Sequence, residues 1–272
     1  MRLIEDTNLA KPFLRWAGGK KWLKNDINKI INGLNFNNYH EPFIGGGFML
    51  FHLNPTKAFV SDYNLELIST YIALKENALE VIKNLKELGR GKDEYYRIRN
   101  IYFEDNFSKA ARFIYLNQMS FNGIYRVNSQ GAYNVPYGSR DKFNFDYENL
   151  LHVGKFLNSI TIEHSDFEES YKNIKPGDLV FLDPPYTIAH NLNGFVQYNQ
   201  KIFSLEDQYR LSHLIDKIKE KDAYYILTNA AHSKVKEIFS KEDKIYELQR
   251  ASVVGGRNSS RGIYSEYLFT NI

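Results

Sequence analysis

The stretch YHEPFIGGGFMLFHLNPTKAFVSD, residues 39–62, decides the fold. Its apolar and turn residues predict a strand over Tyr39–Ile44, a turn at three consecutive glycines and a short helix through Leu53. A second predicted strand, Lys57–Ser61, ends at Asp62. A strand, a helix and another strand in this order are typical of an open, mostly parallel sheet wrapped by helices.

The alternation of strands and helices continues along the rest of the chain. Apolar residues at helical spacing predict a long helix from Leu65 to about Leu88. The C-terminal part predicts two strands that close the sheet as an antiparallel pair. The further predicted elements are the strands Ser159–Glu163, Asp178–Leu182, Tyr224–Thr228, Lys244–Leu248 and Ile263–Thr270 and the helices Leu205–Ile218 and Ser233–Phe239.

Residues 87–157 interrupt this pattern. Two predicted helices, Glu94–Phe103 and Ser108–Met119, come before a segment rich in turn residues, 120–140, and no buried strand is predicted there. The pattern indicates an inserted helical domain with a projecting loop. The expected domains are therefore an insertion at 87–157 and a sheet-based domain made of 1–86 and 158–272.

Composition excludes several classes of protein. The 272 residues are 43% hydrophobic and 25% charged, which is typical of a globular chain. No run approaches the roughly 20 apolar residues of a membrane span. The absence of cysteine excludes disulfides and thiolate metal sites, and we expect a cytoplasmic protein. The net charge is only +3, but residues 86–142 carry ten Lys/Arg against six Asp/Glu among many aromatic residues, which suits a nucleic-acid surface.

The tetrapeptide Asp183-Pro184-Pro185-Tyr186 follows the apolar run 179–182. Ligands of an open parallel sheet bind beyond the carboxyl ends of its strands, where this tetrapeptide would lie. The Asp183 carboxylate and the Pro184 carbonyl are two acceptors that can grip both N–H bonds of the adenine amino group and return its delocalised lone pair to the nitrogen. Tyr186 offers a ring on which the base can stack. The alternative is a Pro-Pro turn after a core strand.

The glycine turn and the residue that ends the second strand predict a nucleoside-binding edge. Gly45, Gly46 and Gly47 are contiguous. The dinucleotide fingerprint has spaced glycines, and its last glycine, at the start of the helix, has no counterpart in this chain. This spacing disfavours NAD and favours an adenosine cofactor without a pyrophosphate. Asp62 is placed to accept hydrogen bonds from both ribose hydroxyls of such a cofactor. Capping of the following helix is a second role for Asp62, and the two roles are compatible.

Two shorter motifs complete the candidate cofactor site. Asp166 and Phe167 follow a predicted strand and could flank the cofactor adenine with one acceptor and one ring edge, although a helix cap and a core phenylalanine explain them equally well. The segment Trp16–Lys20 contains Gly-Gly-Lys without the spacing of a phosphate-binding loop. We expect it to form a flexible loop that places Lys20 and Trp16 beside a charged small molecule.

Taken in order, these motifs resemble those of the Dam-type (D12 class) adenine-N6 DNA methyltransferases, and the resemblance covers nearly the whole chain. It implies a Rossmann-like, S-adenosylmethionine-dependent methyltransferase fold, with a mostly parallel sheet, an antiparallel last strand and residues 87–157 as a target-recognition domain. It also implies that no metal is needed. The resemblance is carried by Trp16–Lys20, Glu41–Gly47, Asp62 with Asn64, Phe121–Arg126, Tyr133–Pro136, Ser165–Phe167 and Asp183–Tyr186.

The resemblance also assigns partners and roles. S-adenosyl-L-methionine would be the cofactor, double-stranded DNA the partner and GATC the expected site, and a cognate restriction endonuclease would act on the same site without touching the chain. Asp183, Pro184 and Tyr186 would hold the target adenine. The cofactor-binding residues would be Trp16, Lys20, Gly45, Asp62, Asp166, Phe167 and Asp183.

The loop 120–140 has the chemistry to read DNA. Arg126 can donate two hydrogen bonds to guanine O6 and N7, the most frequent specific base contact. Phe121 and Asn122 could enter the space left when the target adenine is extruded. A solvated surface position is the alternative for every basic residue in this part of the chain. The candidates for phosphate contacts are Arg112, Arg140 and Lys142.

Three points stay open in the sequence. Arg15 stands where relatives that methylate GATC carry a basic residue against an outer base, often lysine, so the first base of the site is not fixed. The polar segment Thr187–Phe203 predicts a lid over the flipped base or, alternatively, a plain surface loop. The activity could also be RNA or cytosine-N4 methylation on the same fold, or DNA binding without catalysis. Asp183 before Pro-Pro-Tyr favours adenine, and intact Asp62 and Tyr186 favour an enzyme.

Overall fold

The computed structural model describes residues 9–186, 203–251 and 263–272 of the chain. These residues fall into two compact units. The described residues of Met1–Lys21, Ile44–Lys57 and Ser61–His164 form the first unit. Those of Trp22–Phe43, Ala58–Val60 and Ser165–Ile272 form the second unit. The predicted boundaries of the insertion, 87 and 157, stay a prediction. No described helix is long and apolar enough to cross a membrane.

A seven-stranded sheet confirms the predicted fold class, mixed α/β with a mostly parallel sheet. The strand order is β3-β2-β1-β4-β5-β7-β6. β1 pairs in parallel with β2 and β4, β4 pairs in parallel with β5, and β7 pairs antiparallel with both β5 and β6. The strands are β1 Tyr39–Glu41, β2 Ala58–Asp62, β3 Ile160–His164, β4 Leu179–Leu182, β5 Tyr224–Ala230, β6 Lys244–Ala251 and β7 Ile263–Thr270.

The helices of the first unit pack on one another. The longest, α3, begins after Asn64, whose side chain accepts the Leu67 N–H at 3.1 Å, and it is kinked at Asn77. α3 packs against α5 and α6, which bury apolar residues toward it. The helices of this unit are α2 Phe48–Leu53, α3 Leu65–Glu87, α4 Lys92–Asn100, α5 Asn106–Met119 and α6 Tyr147–Leu157.

The core of the second unit lies between the sheet and its helices. All four residues of β4 are buried, as expected for a central parallel strand covered on both faces. α7, Leu205–Glu220, contributes Leu211, Leu214, Ile215 and Ile218 to the same apolar cluster. Burial of one such side chain stabilises the fold by roughly 1.5–3 kcal/mol. The other α-helices in the described part of this unit are α1 Lys24–Ile30 and α8 Ser233–Phe239.

Most predicted elements are found within two or three residues of their expected ends. The largest errors among the strands are three residues, in β6, which ends at Ala251 instead of Leu248, and in β1, which ends at Glu41 instead of Ile44. Pro42 follows directly, and because proline has no N–H it cannot continue the hydrogen-bond ladder. α1 and α6 are not among the predicted helices, although α6 carries the apolar spacing Leu150, Val153, Leu157 and an N-cap at Asp146.

Candidate active site

The glycine turn of the first unit is shaped by Trp16. Gly45 has a φ of +47°, and a Cβ at this position would lie 2.8 Å from Cδ1 and Nε1 of the indole. A Cβ at Gly46 would lie 2.8 Å from the Trp16 Cβ. The indole is also stacked on Tyr125, with ring centroids 5.8 Å apart, and on Phe113 at 6.5 Å. Glycine is therefore required at 45 and 46 because Trp16 lies directly against the turn.

Asp62 ties this turn to the end of β2. Its Oδ2 accepts the Gly45 N–H and its Oδ1 accepts the Asn64 N–H, each at 3.0 Å. Burial raises the pKa of Asp62 above its ordinary value, against the lowering effect of the backbone donors of Asn64 and Gly45. The helix cap is Asn64 and not Asp62, so the capping alternative does not explain Asp62. A carboxylate held in this way has the orientation and the acceptor chemistry for a ribose diol.

Lys20 closes the Trp16–Lys20 loop with a buried charge. Only 3% of the residue is exposed, and its Nζ donates to the Gly18 carbonyl at 3.0 Å. Lysine is rarely buried to this extent unless its charge is compensated. Lys20 and Trp16 therefore belong to one short loop, in which the lysine amine is buried.

In the second unit, the residues of the Asp183–Tyr186 tetrapeptide are anchored by the neighbouring strands. The Thr228 hydroxyl on β5 donates to Asp183 Oδ1 at 2.7 Å. Tyr186 Oη donates to Glu266 Oε2 on β7 at 2.6 Å. Thr228 and Glu266 are 1% and 3% exposed, and neither is predicted from the sequence. Asp183 and Tyr186 are thus both oriented by buried polar partners, and their roles in binding the base stay a prediction.

Burial is the main reason why the pKa of Tyr186 is raised well above its ordinary value, and the charges of Asp183 and Glu266 add to it. The phenol therefore stays protonated and keeps donating to Glu266. Tyr39 on β1 behaves in the same way, because burial and the charges of Glu41 and Asp183 raise the pKa of Tyr39. Its hydroxyl donates to Glu41 Oε2 at 2.9 Å.

Asp166 and Phe167 have the structural roles that were the alternative to cofactor binding. Asp166 caps the short helix that follows, accepting the Glu168 N–H at 3.0 Å, and it forms an ion pair with Arg210 at 2.8 Å. Phe167 is 5% exposed and stacks on Phe43 at 5.3 Å. Contact of either residue with the cofactor adenine stays a prediction.

The predicted DNA-reading loop is a hairpin of the first unit. Phe121 N donates to the Pro136 carbonyl at 2.9 Å, and Asn134 N donates to the Arg126 carbonyl at 3.1 Å. The tip turns at 128–131, where Asn128 Oδ1 accepts two backbone N–H groups. At the base of the hairpin, Phe121 is 52% exposed and Asn122 has a φ of +55°.

The basic residues of the hairpin region differ in how they are held. Arg126 is exposed, and Asn134 fixes its guanidinium through a side-chain bond of 2.7 Å and a backbone bond of 3.2 Å. Arg140 donates to the Gln118 carbonyl at 2.9 Å and lies over the Phe143 ring. Lys142 is exposed beside it. These positions are compatible with DNA contact, which stays a prediction for each residue.

Arg15 and Arg112 are held more tightly than the sequence suggests. Asn117 accepts the Arg15 N–H at 2.8 Å and donates to the Arg15 carbonyl at 2.7 Å. Burial, and then the charge of Arg140, lower the pKa of Arg15. Arg112 donates to the carbonyls of Ile98 and Arg99 at the end of α4, so part of its guanidinium caps a helix. A fully solvated surface position is therefore wrong for Arg112.

The predicted lid, Thr187–Phe203, lies outside the described residues except for Phe203, which is 4% exposed and packs on Phe43 and Phe167. The lid and its alternative as a surface loop stay predictions.

Comparison with known proteins identifies the family. The family model of the D12 class N6 adenine-specific DNA methyltransferases matches residues 16–253. A type II methyltransferase of Lactococcus lactis subsp. cremoris, M1.LlaDCHI, is 34% identical over 283 residues, covering 100% of this chain and 99% of the relative. The type II methyltransferase M.MjaIII of Methanocaldococcus jannaschii is 33% identical, covering 81% of this chain and 84% of the relative. A DNA adenine methylase of Haemophilus influenzae is 29% identical, with coverages of 85% and 83%.

These matches decide between the activities left open by the sequence. The matching family is adenine-specific and acts on DNA, which excludes cytosine N4 and RNA as the family's target and makes the chain an enzyme. S-adenosylmethionine is the general methyl donor of such enzymes. On the strength of a family match over most of its length and a full-length relative, the chain belongs to the D12 class of N6 adenine-specific DNA methyltransferases.

Proposed function

We propose that this methyltransferase acts on an adenine swung out of duplex DNA, and that Asp183, Pro184 and Tyr186 hold the base. The observation that carries the proposal is the 2.7 Å hydrogen bond from Thr228 to Asp183 Oδ1 at the carboxyl end of β4. It gives a fixed direction to a carboxylate that follows directly on a fully buried strand. Ligands of open parallel sheets bind beyond such strand ends.

The roles follow from the chemistry of the target. The amino nitrogen of adenine is a poor nucleophile because its lone pair is delocalised into the ring. The Asp183 carboxylate accepts one N–H of the amine and the Pro184 carbonyl accepts the other, which draws the nitrogen toward a tetrahedral shape and returns the lone pair. The ring of Tyr186 stacks on the base. Positioning and charge placement are the main catalytic contributions of these residues.

A base inside a duplex cannot reach such a group, so the proposal includes base flipping. Phe121 is more than half exposed at the base of the hairpin and offers an apolar ring to the stack that the adenine leaves. Asn122, beside it, offers an amide to the orphaned partner base. The exposed Arg126, held by Asn134, reads a guanine through two hydrogen bonds.

S-adenosylmethionine supplies an electrophilic methyl group, and the side chains present suit its parts. Asp62 is an oriented carboxylate for the ribose hydroxyls, and Lys20 is a buried ammonium for a carboxylate. Trp16 offers an indole face beside Gly45. Asp166, Phe167 and Asp183 are the further proposed contacts.

The proposed recognition sequence is GATC, which follows from the family resemblance. Relatives that cover most of this chain are named DNA adenine methylases. Arg15, just before the Trp16–Lys20 loop, is proposed to contact an outer base of the site, and it leaves the first base open. Arg112, Arg140 and Lys142 are proposed phosphate contacts. The type II names of two relatives support a cognate restriction endonuclease that acts on the same site.

The test is expression in a host that lacks DNA methylation, followed by sequencing that detects N6-methyladenine. We expect methylation at GATC alone, and methylation at any other sequence would refute that site. Asp183→Ala should lower kcat by at least ~10²–10³-fold because the oriented acceptor is lost. Asp216→Asn, a surface change on α7, is the control and should leave kcat unchanged. Near-normal turnover by Asp183→Ala would refute the proposed mechanism.

A further inference from the structure

We infer that Thr228 and Glu266 are positioning residues of the methyl-transfer reaction, which hold Asp183 and Tyr186 in their working orientations. The inference rests on the proposed roles of Asp183 and Tyr186. Both positioning residues come from strands that follow β4 in the sheet, β5 and β7. Neither lies in a motif identified in the sequence analysis.

The sheet register explains why these two residues reach the tetrapeptide. Ala230 on β5 pairs with Glu266 on β7, and Thr228 pairs with Leu268. Residues two apart on a strand, and directly paired residues of antiparallel strands, present their side chains on the same face of the sheet. Thr228 and Glu266 therefore lie on one face of the sheet, in pairs that are two positions apart along the strands.

Thr228 provides one anchor. It is 1% exposed, and its hydroxyl donates to Asp183 Oδ1 at 2.7 Å, a short bond to an acidic group. The same hydroxyl is also a hydrogen-bond partner of Tyr186. Threonine is stiff about χ1, so its hydroxyl keeps one direction. One buried hydroxyl thus links the acceptor for the amine to the ring on which the base stacks.

Glu266 provides the other anchor. It is 3% exposed, and Leu268, Phe269 and Thr270 of the same strand are also buried. Acidic residues are rarely buried to this extent. Its Oε2 accepts the Tyr186 hydroxyl at 2.6 Å. Burying a polar side chain costs free energy unless it is hydrogen-bonded, and the Tyr186 hydroxyl provides such a bond. The same bond holds the Tyr186 hydroxyl and so fixes the plane of its ring.

The test compares two buried threonines of one sheet. Thr228→Val keeps the β-branched shape and removes the hydroxyl, whereas Thr228→Ser keeps the hydroxyl. Thr270→Val is the matched control, because Thr270 is 0% exposed and its hydroxyl donates at 2.6 Å to a backbone carbonyl, that of Tyr225. The assay is methyl transfer from labelled S-adenosylmethionine to unmethylated plasmid DNA by the full chain, so no recognition sequence has to be assumed.

We expect Thr228→Val to lower kcat about 10- to 100-fold, as for loss of a hydrogen bond to a charged group. The KM values for both substrates should stay within about threefold, because Thr228 would touch neither. Thr228→Ser should recover most of kcat, and Thr270→Val should stay within about twofold of the parent. Equal kcat for Thr228→Val and Thr270→Val, or no recovery with serine, would overturn the role of Thr228. Should Thr228→Val fail to fold, Thr228→Ala repeats the comparison.

Glu266 is tested by two substitutions of similar size. Glu266→Gln keeps an oxygen acceptor for the Tyr186 hydroxyl and should retain kcat within about threefold. Glu266→Met removes the acceptor and should lower kcat about tenfold. The role of Glu266 would be overturned if Glu266→Met kept the wild-type kcat, or if Glu266→Gln and Glu266→Met lowered kcat equally. Activity of Asp183→Ala would instead refute the proposed function itself, so the two failures are distinct.

Discussion

Replacing Gly45 by alanine should displace the Trp16 indole from the glycine turn. The backbone φ of +47° is one that alanine adopts only at a cost of roughly 1–2 kcal/mol. The new Cβ would also lie 2.8 Å from two indole atoms. Atoms of this kind approach to about 3.5 Å at best, so the ring has to move by roughly 0.7 Å or more.

The structure gives the size of the effect. Movement of the indole disturbs its stacking on Tyr125 and Phe113, and aromatic pairs are worth about 0.5–1.5 kcal/mol each. We therefore expect Gly45→Ala to lower the free energy of unfolding by about 2–5 kcal/mol. Gly33→Ala is the matched control. Its φ is +80° with no atom within 4 Å of the added Cβ, so it carries the backbone strain alone, about 1–2 kcal/mol.

Two measurements check this prediction. Urea unfolding compares the stability of the two alanine variants. Tryptophan fluorescence reports on the ring, because the chain has only two tryptophans and Trp22→Phe leaves Trp16 alone. We expect a red shift in Gly45→Ala and none in Gly33→Ala, with roughly tenfold weaker binding of S-adenosylmethionine in the former. An unshifted emission together with equal stability losses in the two variants would refute the reasoning.

Three further predictions concern other parts of the chain. Arg126→Ala should relax site choice, with about 1–3 kcal/mol less discrimination, and sequencing that finds unchanged sites and rates would show that the reading loop is misplaced. Burial lowers the pKa of His40, so the unfolded state binds more protons, and the free energy of unfolding should fall as pH drops below about 6.5. His40→Gln should flatten that slope in urea titrations; a slope equal to that of the parent would contradict the assignment. Burial raises the pKa of Asp62 above its ordinary value of 3.8, so the affinity for S-adenosylmethionine should begin to fall at a higher pH than it would with an ordinary aspartate. Calorimetry measures this affinity. It should also find that Asp62→Asn binds the cofactor more weakly and independently of pH.

The fold was predictable where the signal is local. The apolar run of β4 and the alternation of strands with helices each occupy a few consecutive residues, and the structure confirms them. The predicted end of β1 is too late because Phe43 and Ile44 are apolar and extend the apolar run. Pro42 has no N–H and ends the strand before them. α6 was missed although Asp146 and the apolar spacing after it were visible, since the segment adjoined a loop rich in turn residues.

The candidate site was predictable only in its motifs. Asp62 ends a strand and Asp183 follows one, and strand ends can be read from hydropathy. The partners of Asp183 and Tyr186 come from distant positions, since Thr228 lies 45 residues after Asp183 and Glu266 lies 80 residues after Tyr186. No local pattern encodes a hydrogen bond over such a distance. The one sequence signal is a lone glutamate in phase with buried residues of β7.

The direction of β7 explains how a C-terminal strand reaches the tetrapeptide at all. Parallel strands bring their last residues to the carboxyl edge of a sheet, which is where Asp183 follows β4. β7 runs antiparallel to β5, so Glu266, in its first half, pairs with Ala230, the last residue of β5. Insertion of an antiparallel strand between β5 and β6 therefore adds a polar anchor at the carboxyl edge.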